Sequence, residues 1–204
     1  MRALVPYAVG DPKTRLAPLL TADERRSFSR AMLADVLDSI TTAEAEPTVI
    51  VTEPIDLPAE TIVDERPLTQ AVNHELAAEP GPTAIVMADL PLVTPATLQR
   101  LFATAGDVVL APGRGAGTNA IVSRNPAFTV DYHGGSFLKH LRTVDDLGLD
   151  VEIIDSHRLA TDIDEPNDLV ELLVHGEGTA VQWLHDHDIA LDTDHSRLSV
   201  IRTD

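Results

Sequence analysis

No cysteine occurs among these 204 residues. Thiol catalysis, disulfides and thiolate metal sites are therefore excluded. No apolar run approaches the roughly 18 residues that a membrane-spanning helix needs, so no membrane partner is expected. The opening MRALVPYAVG lacks a long apolar core and a small-residue cleavage site, so no secretory leader is expected either. Together these absences favour a cytoplasmic protein. Lysine is scarce: of 15 basic residues only Lys13 and Lys139 are lysine. With no basic stripe to neutralise phosphates, nucleic acid is not an expected partner. Neither GxxxxGK[ST] nor GxGxxG is present, which removes the two common glycine-rich nucleotide fingerprints.

What the chain does have is acid. The formal net charge is −18, with the acids spread along the chain and not gathered in a tail. A disordered acidic chain would be poor in apolar residues, yet 44% of this one is hydrophobic. The charge reads as the solvated surface of a folded domain. Heavy acid loading with few lysines resembles proteins of a high-salt cytoplasm, where salt screens self-repulsion. The length suits one domain over 1–204, with 178–204 as a C-terminal helix and tail.

Apolar patterning alternates between two periods. Residues 2–6, 48–52, 61–63, 83–88, 107–111, 119–123 and 151–154 read as strands. Thr21 and Glu24 form a capping box, and Phe28, Met32, Leu33, Val36, Leu37 and Ile40 follow at helical spacing. Further helices are expected at 68–78, 95–105, 136–147, 166–175 and 178–187, with a last strand at 198–201. Alternation of this kind predicts an α/β fold with a mainly parallel sheet. In such sheets ligands bind beyond the carboxyl ends of the strands.

Asp89, the loop after the first strand and the loop after Leu110 fall at those ends. Asp89 follows the apolar run TAIVM, and reads either as a turn acid or as a Mg²⁺ ligand. The turn reading is weakened because Thr94-Pro95 already supplies a helix start. Asp162 and Asp164, in ATDIDEPNDL, offer a second carboxylate, and the choice between them is open. Lys13 and Arg15 lie in the loop after the first strand, where a point charge and a planar fork can grip phosphates. GRGAGTN, residues 113–119, is a glycine-rich loop whose amides could form an anion nest. YHGGSFLKH, residues 132–140, puts Ser136 at a helix start with Lys139 and His140 one turn on, an arrangement suited to a phosphate or carboxylate. HDHD, residues 185–188, ends a surface helix and is assigned no metal. His74, His157, His175 and His195 show no pattern.

The order VPYAVGDPKTRL, ADLPLV, RGAGTNAIV, GGSFLKH, DIDEPNDL resembles the 2-phospho-L-lactate guanylyltransferase family of coenzyme F-420 biosynthesis, over about residues 2–175. The wider group is the nucleotidyltransferases with a single Rossmann-like domain, molybdenum-cofactor guanylyltransferases among them, which implies an α/β three-layer domain on a mainly parallel mixed sheet. The resemblance implies that GTP and 2-phospholactate give lactyl-2-diphospho-5′-guanosine and pyrophosphate. It implies Mg²⁺ on Asp89 and Asp164, with Asp162 as the alternate ligand, and the triphosphate on Lys13 and Arg15. It puts the acceptor near Thr118, Gly135 and Ser136, with Lys139 and His140 as second choices. It also implies a homodimer. One departure stands out: the family often has a lysine shortly after Val-Pro, where this chain has Tyr7-Ala8, so that a triphosphate contact is either lost or supplied by Arg2 or Arg114. Competing readings are a nucleotidyltransferase for phosphoenolpyruvate, molybdopterin or a sugar phosphate, and a nucleotide-binding protein without turnover.

Overall fold

The first strand shows how the layers arise. In β1 (Arg2–Tyr7), Ala3, Val5 and Tyr7 face one side of the sheet and Leu4 faces the other. Both faces are apolar, as a buried parallel strand requires. The computed structural model describes residues 1–194 and 198–203. Seven strands form one sheet in the order β3-β2-β1-β4-β6-β5-β7. They are β2 (Glu46–Val51), β3 (Glu60–Val63), β4 (Thr83–Val86), β5 (Val108–Pro112), β6 (Thr118–Ser123) and β7 (Val151–Ile153), beside β1. Only β6 runs antiparallel to its neighbours β4 and β5; the other pairs are parallel. The mainly parallel sheet with flanking helices agrees with the expected fold class.

One face of the sheet packs on α1 (Ala22–Thr42) and α3 (Pro95–Ala103), through Leu33, Val36, Leu37, Ile40, Leu98 and Leu101. The other face packs on α2 (Leu68–Ala78) and α4 (Ser136–Leu147), through Ala71, Val72 and Val144. The Thr21–Glu24 capping box starts α1 as expected, and Thr94 caps α3 with Pro95 at its first turn. Asp89 therefore does not cap α3.

A third apolar cluster joins Leu16, Leu20, Phe28 and Met32 to Leu92, Ile163, Leu169, Leu172 and Leu184. It draws on α6 (Asp168–His175) and α7 (Thr179–Asp186), which follow the short α5 (His157–Ala160). Leu16, Leu92 and Ile163 each lie within three residues of Lys13, Asp89 or Asp164, so one cluster backs all three loops. Inside α1, the buried Asp35 accepts hydrogen bonds from Thr179 N and Ala180 N at 2.6 and 2.9 Å and so caps α7. A Cβ on Gly178 would meet Asp35 Oδ1 at 2.4 Å, so only glycine fits there.

Some elements differ from expectation. The strand expected at 83–88 ends at Val86, and Ala88 and Asp89 form a turn. The helix expected from 166 begins at Asp168, with Asn167 at its cap. Of GRGAGTN, expected as a loop over 113–119, residues 113–117 are the loop of the β5–β6 hairpin, and Thr118 and Asn119 already belong to β6. The tail forms a hairpin of β8 (Ile189–Asp192) and β9 (Ser199–Arg202); β8 was not expected. His195 and residue 204 lie outside the described residues. No helix among the described residues is long and apolar enough to cross a membrane.

Candidate active site

Lys13 and two carboxylates form the centre of the site. Lys13 Nζ lies 2.6 Å from Asp89 Oδ2 and 2.5 Å from Asp164 Oδ1. Its side chain is only 10% exposed, so this is a largely desolvated contact and not a surface ion pair. Burial acts to lower the Lys13 pKa, but Asp89 and Asp164 outweigh it and the net shift is upward. The ammonium stays charged. Lys13 has φ 54° and ψ 43°, the left-handed region, immediately before a 3₁₀ turn at Thr14–Leu16. A non-glycine residue held there is uncommon.

The scaffold that holds Lys13 is local. Arg25, buried on α1, donates from Nε to Pro12 O and from Nη1 to Leu20 O, and pairs through Nη2 with Asp11 Oδ1 at 2.5 Å. It ties both ends of the loop to the helix. On the opposite side, Ile163 N donates to Asp89 O at 3.1 Å, which links the loop after β4 to the loop before α6. Asp168 Oδ2 accepts from Asp164 N and Glu165 N, while Asp168 Oδ1 pairs with Arg114 Nη2.

Asp89, Asp162 and Asp164 each bring one carboxylate oxygen within 4.8 Å of the other two. Asp162 is set by Asn119, whose Nδ2 donates to Asp162 Oδ1 at 3.1 Å and to Leu159 O at 2.9 Å. Burial pushes the Asp162 pKa up, the Asn119 bond opposes it, and the charges of Asp89 and Asp164 add to the rise. Three carboxylates face one buried ammonium, so negative charge is in excess. An all-oxygen donor set with excess negative charge fits a hard cation such as Mg²⁺. Arg15 lies at the rim, 67% exposed, with Nη1 3.8 Å from Asp164 Oδ2.

Of two adjoining cavities, one reaches this centre. One, about 230 Å³, is lined by Pro12, Lys13, Ser29, Asp89 and Asp164. The other, about 440 Å³, is mostly apolar and is lined by Ile50, Thr52, Asp64, Arg66, Leu68 and Ala71. Pro6, Tyr7, Ala8 and Met87 line both. Tyr7-Ala8 thus forms the wall between them.

A second group lies on the other face of β6. Thr118 Oγ1 is 2.9 Å from His140 Nδ1 and accepts from Ser136 Oγ at 3.2 Å. His140 Nε2 accepts from Asp131 N, so its proton sits on Nδ1 and is donated to Thr118. Burial holds the His140 pKa down to about 4, so the ring is neutral. Gly134 and Gly135 have φ 46° and 65°, and Phe137 N donates to Ala116 O, which docks the helix start on the hairpin loop.

The structure thus gathers Lys13, Asp89, Asp162 and Asp164 into one group, with Arg15 at its rim, and Thr118, Ser136 and His140 into another next to Gly135. Lys139 belongs to neither: its Nζ pairs with Asp131 Oδ2 at 2.8 Å. Of the two possible substitutes for the family lysine, Arg2 is removed. It lies at the amino end of β1, bound to Glu79 and to Glu75 O. Arg114 is beside the site, held by Asp168. In the glycine-rich loop, Gly113 N and Arg114 N are spent on Gly117 O and Ala160 O. Asn119, Asp168 and Arg25 are positioning residues that sequence reasoning missed. Gly113 was the available signal for Asn119, since a Cβ there would meet Asn119 Oδ1 at 2.6 Å.

Comparison with known proteins gives this arrangement a family. The model described as "Guanylyl transferase CofC like" matches residues 1–203. The 2-phospho-L-lactate guanylyltransferase of Halomicrobium mukohataei is 56% identical over 202 residues, covering 99% of this chain and 100% of that protein. The protein of the same name from Natronomonas pharaonis is 52% identical over 202 residues, covering 99% of each. Among solved structures, a protein described as a nucleotide-diphospho-sugar transferase from Desulfovibrio desulfuricans superposes with a TM-score of 0.74 at 15% identity, covering 92% of this chain and 94% of that one. That likeness concerns the fold alone. A match over nearly the whole length, with relatives above half identity, decides the matter: this chain belongs to the CofC-like guanylyl transferase family.

Proposed function

We propose that this chain transfers a guanylyl group from GTP to the phosphate of 2-phospholactate, forming lactyl-2-diphospho-5′-guanosine and releasing pyrophosphate, in coenzyme F-420 biosynthesis. The observation that carries the reading is the buried Lys13 between Asp89 and Asp164, at the carboxyl ends of β1 and β4, in a chain 56% identical to an enzyme of that name.

In this reading the guanine and ribose occupy the apolar cavity beside Tyr7 and Met87. Lys13 and Arg15 neutralise the triphosphate. Asp89 and Asp164 hold Mg²⁺, with Asp162 as a third carboxylate; when bound, the ion supplies Lewis-acid neutralisation of phosphate charge. The acceptor sits towards Thr118, Gly135 and Ser136, with His140 orienting Thr118 and Lys139 held apart by Asp131. A phosphate oxygen of the acceptor forms a bond to the α-phosphorus, and the bond from that phosphorus to the pyrophosphate oxygen breaks. The nucleophile is already an anion, so no proton needs to be removed and no general base is required. Catalysis then rests on alignment and charge neutralisation. The same reading takes the enzyme as a cytoplasmic homodimer, which light scattering tests.

The test is pyrophosphate release from GTP, Mg²⁺ and a panel of phosphorylated acids. 2-Phospholactate should give the highest kcat/KM. Release with a sugar phosphate or molybdopterin alone overturns the acceptor. GTP binding without release under any acceptor overturns the enzyme.

A further inference from the structure

A second group of metal-ligating side chains lies outside this site. His157 opens α5, and Glu171 and His175 lie one turn apart on α6. Both histidines turn Nε2 towards the same oxygen: His157 Nε2 is 3.2 Å and His175 Nε2 is 3.6 Å from Glu171 Oε2. The rings pack edge to face with centroids 5.4 Å apart. One donor atom from each residue lies within 4.8 Å of the others.

We infer that His157, Glu171 and His175 form a binding site for a divalent transition cation of the Zn²⁺ class. Donors placed about 2.0–2.2 Å from a tetrahedral Zn²⁺ stand roughly 3.3–3.6 Å from one another. The two nitrogen–oxygen separations match that edge. The longer one exceeds hydrogen-bond length, so a shared proton does not account for both. Two neutral imidazoles and one carboxylate suit Zn²⁺, Co²⁺ or Ni²⁺ better than Mg²⁺, which prefers an all-oxygen shell. His175 is the last residue of α6, where the helix dipole favours positive charge. The three side chains are 52%, 32% and 48% exposed, which leaves the remaining positions to water. The adjacent Arg158 is drawn away, its Nη1 donating to Leu92 O and His175 O.

The position gives the site a structural role. α5 and α6 flank residues 161–167, which carry Asp162 and Asp164. A cation bridging His157 to Glu171 and His175 clasps the two ends of that segment.

The experiment is a thermal melt of chelator-stripped protein with Zn²⁺ or Co²⁺ in excess Mg²⁺, which keeps the carboxylate triad from taking the probe. At concentrations well above the dissociation constant, the melting temperature should rise by about 5 °C or more. Co²⁺ should also give visible d–d absorption. Asp89→Asn should keep both responses; His157→Ala and His175→Gln should each lose them. The histidine variants should keep wild-type turnover with Mg²⁺. No rise in the wild type overturns the site, as does a rise that persists undiminished in both histidine variants. Loss of the response in Asp89→Asn alone assigns the ion to the triad and equally overturns it. Failure of the guanylyl-transfer reading would leave these melts unchanged.

Discussion

Lys13 reaches Asp89 across 76 residues of sequence, Nζ to Oδ2 at 2.6 Å. The contact joins the loop after β1 to the loop after β4, and Asp164 closes it from a third loop. One ammonium thus serves as the inner counter-ion for carboxylates that would otherwise repel one another at short range. Breaking a desolvated pair by removing one partner costs more than the pair is worth, because the other charge stays behind. Each member should therefore be separable by which charge its removal leaves uncompensated.

Asp89→Asn keeps the shape and removes one negative charge. Lys13 remains paired with Asp164, so the fold should persist, with an unchanged circular dichroism spectrum. Turnover should be abolished. If the pure variant releases pyrophosphate within about threefold of wild type, a difference of only about 0.65 kcal/mol, the catalytic role of Asp89 is wrong.

Lys13→Met leaves three carboxylates within 4.8 Å of one another and takes away the buried cation. Without divalent ions the variant should melt below wild type. Added Mg²⁺ should recover more stability in the variant than in wild type, because the ion meets a larger uncompensated charge. The kcat/KM for GTP should fall by about ten- to a hundredfold, the size expected when a charged contact to phosphate is lost. Equal Mg²⁺ responses in the two proteins would contradict the triad as the cation site.

His140 gives a pH dependence of definite sign. Its folded pKa of about 4 lies below the ordinary histidine value of about 6.5, because burial disfavours the imidazolium. The stability it contributes is complete above pH 6.5. It is lost as pH falls through the range between those values, where the unfolded chain takes the proton first. At full titration the loss is roughly 3 kcal/mol. Urea melts of wild type and His140→Gln at pH 7.5 and 4.5 isolate it, since carboxylate effects are common to both. Wild type should lose more stability than the variant on acidification; identical losses would contradict the buried neutral ring.

The strand and helix layout was legible because its signals are local. Thr21–Glu24, Thr94–Pro95 and the apolar alternation of β1 each lie within a few residues. The loops carrying Lys13 and Asp89 could be placed at one end of the sheet for the same reason, whereas Asp164 entered only as a candidate second carboxylate. What holds them there was not legible. Asn119 reaches Asp162 across 43 residues and Arg114 reaches Asp168 across 54, and neither spacing leaves a periodic trace. A mixed sheet was expected, but that β6 is its antiparallel strand was hidden, since the GRGAGTN segment looks the same before a hairpin or a crossover. β8 was missed because four residues flanked by acids resemble a polar tail. His157 and His175 looked patternless because they meet at Glu171 only in the folded chain.

The charge of −18 predicts a salt requirement. Self-repulsion destabilises the compact state, and the Debye length falls from about 10 Å at 0.1 M salt to about 3 Å at 1 M. Raising KCl across that range should raise the melting temperature. A flat or falling curve would contradict the high-salt reading of the composition.

Ser136 tests which substrate the second group serves. Thr118 Oγ1 accepts from both Ser136 Oγ and His140 Nδ1, so its own proton is left to donate elsewhere. Removing the Ser136 hydroxyl frees Thr118 to rotate and loosens the hairpin loop against α4. The nucleotide cavities are lined by none of these residues. Ser136→Ala should therefore weaken the acceptor and spare the nucleotide. One misdirected hydrogen bond to a charged group corresponds to roughly 1.5–3 kcal/mol, or about ten- to a hundredfold in acceptor kcat/KM. The GTP dissociation constant should move by less than about threefold. The measurement is paired, with GTP binding titrated first and acceptor then varied at saturating GTP. Thr118→Val should show the same asymmetry more strongly, because it removes the donor itself. Collapse of GTP binding with unchanged acceptor dependence would assign the two loops to the opposite substrate.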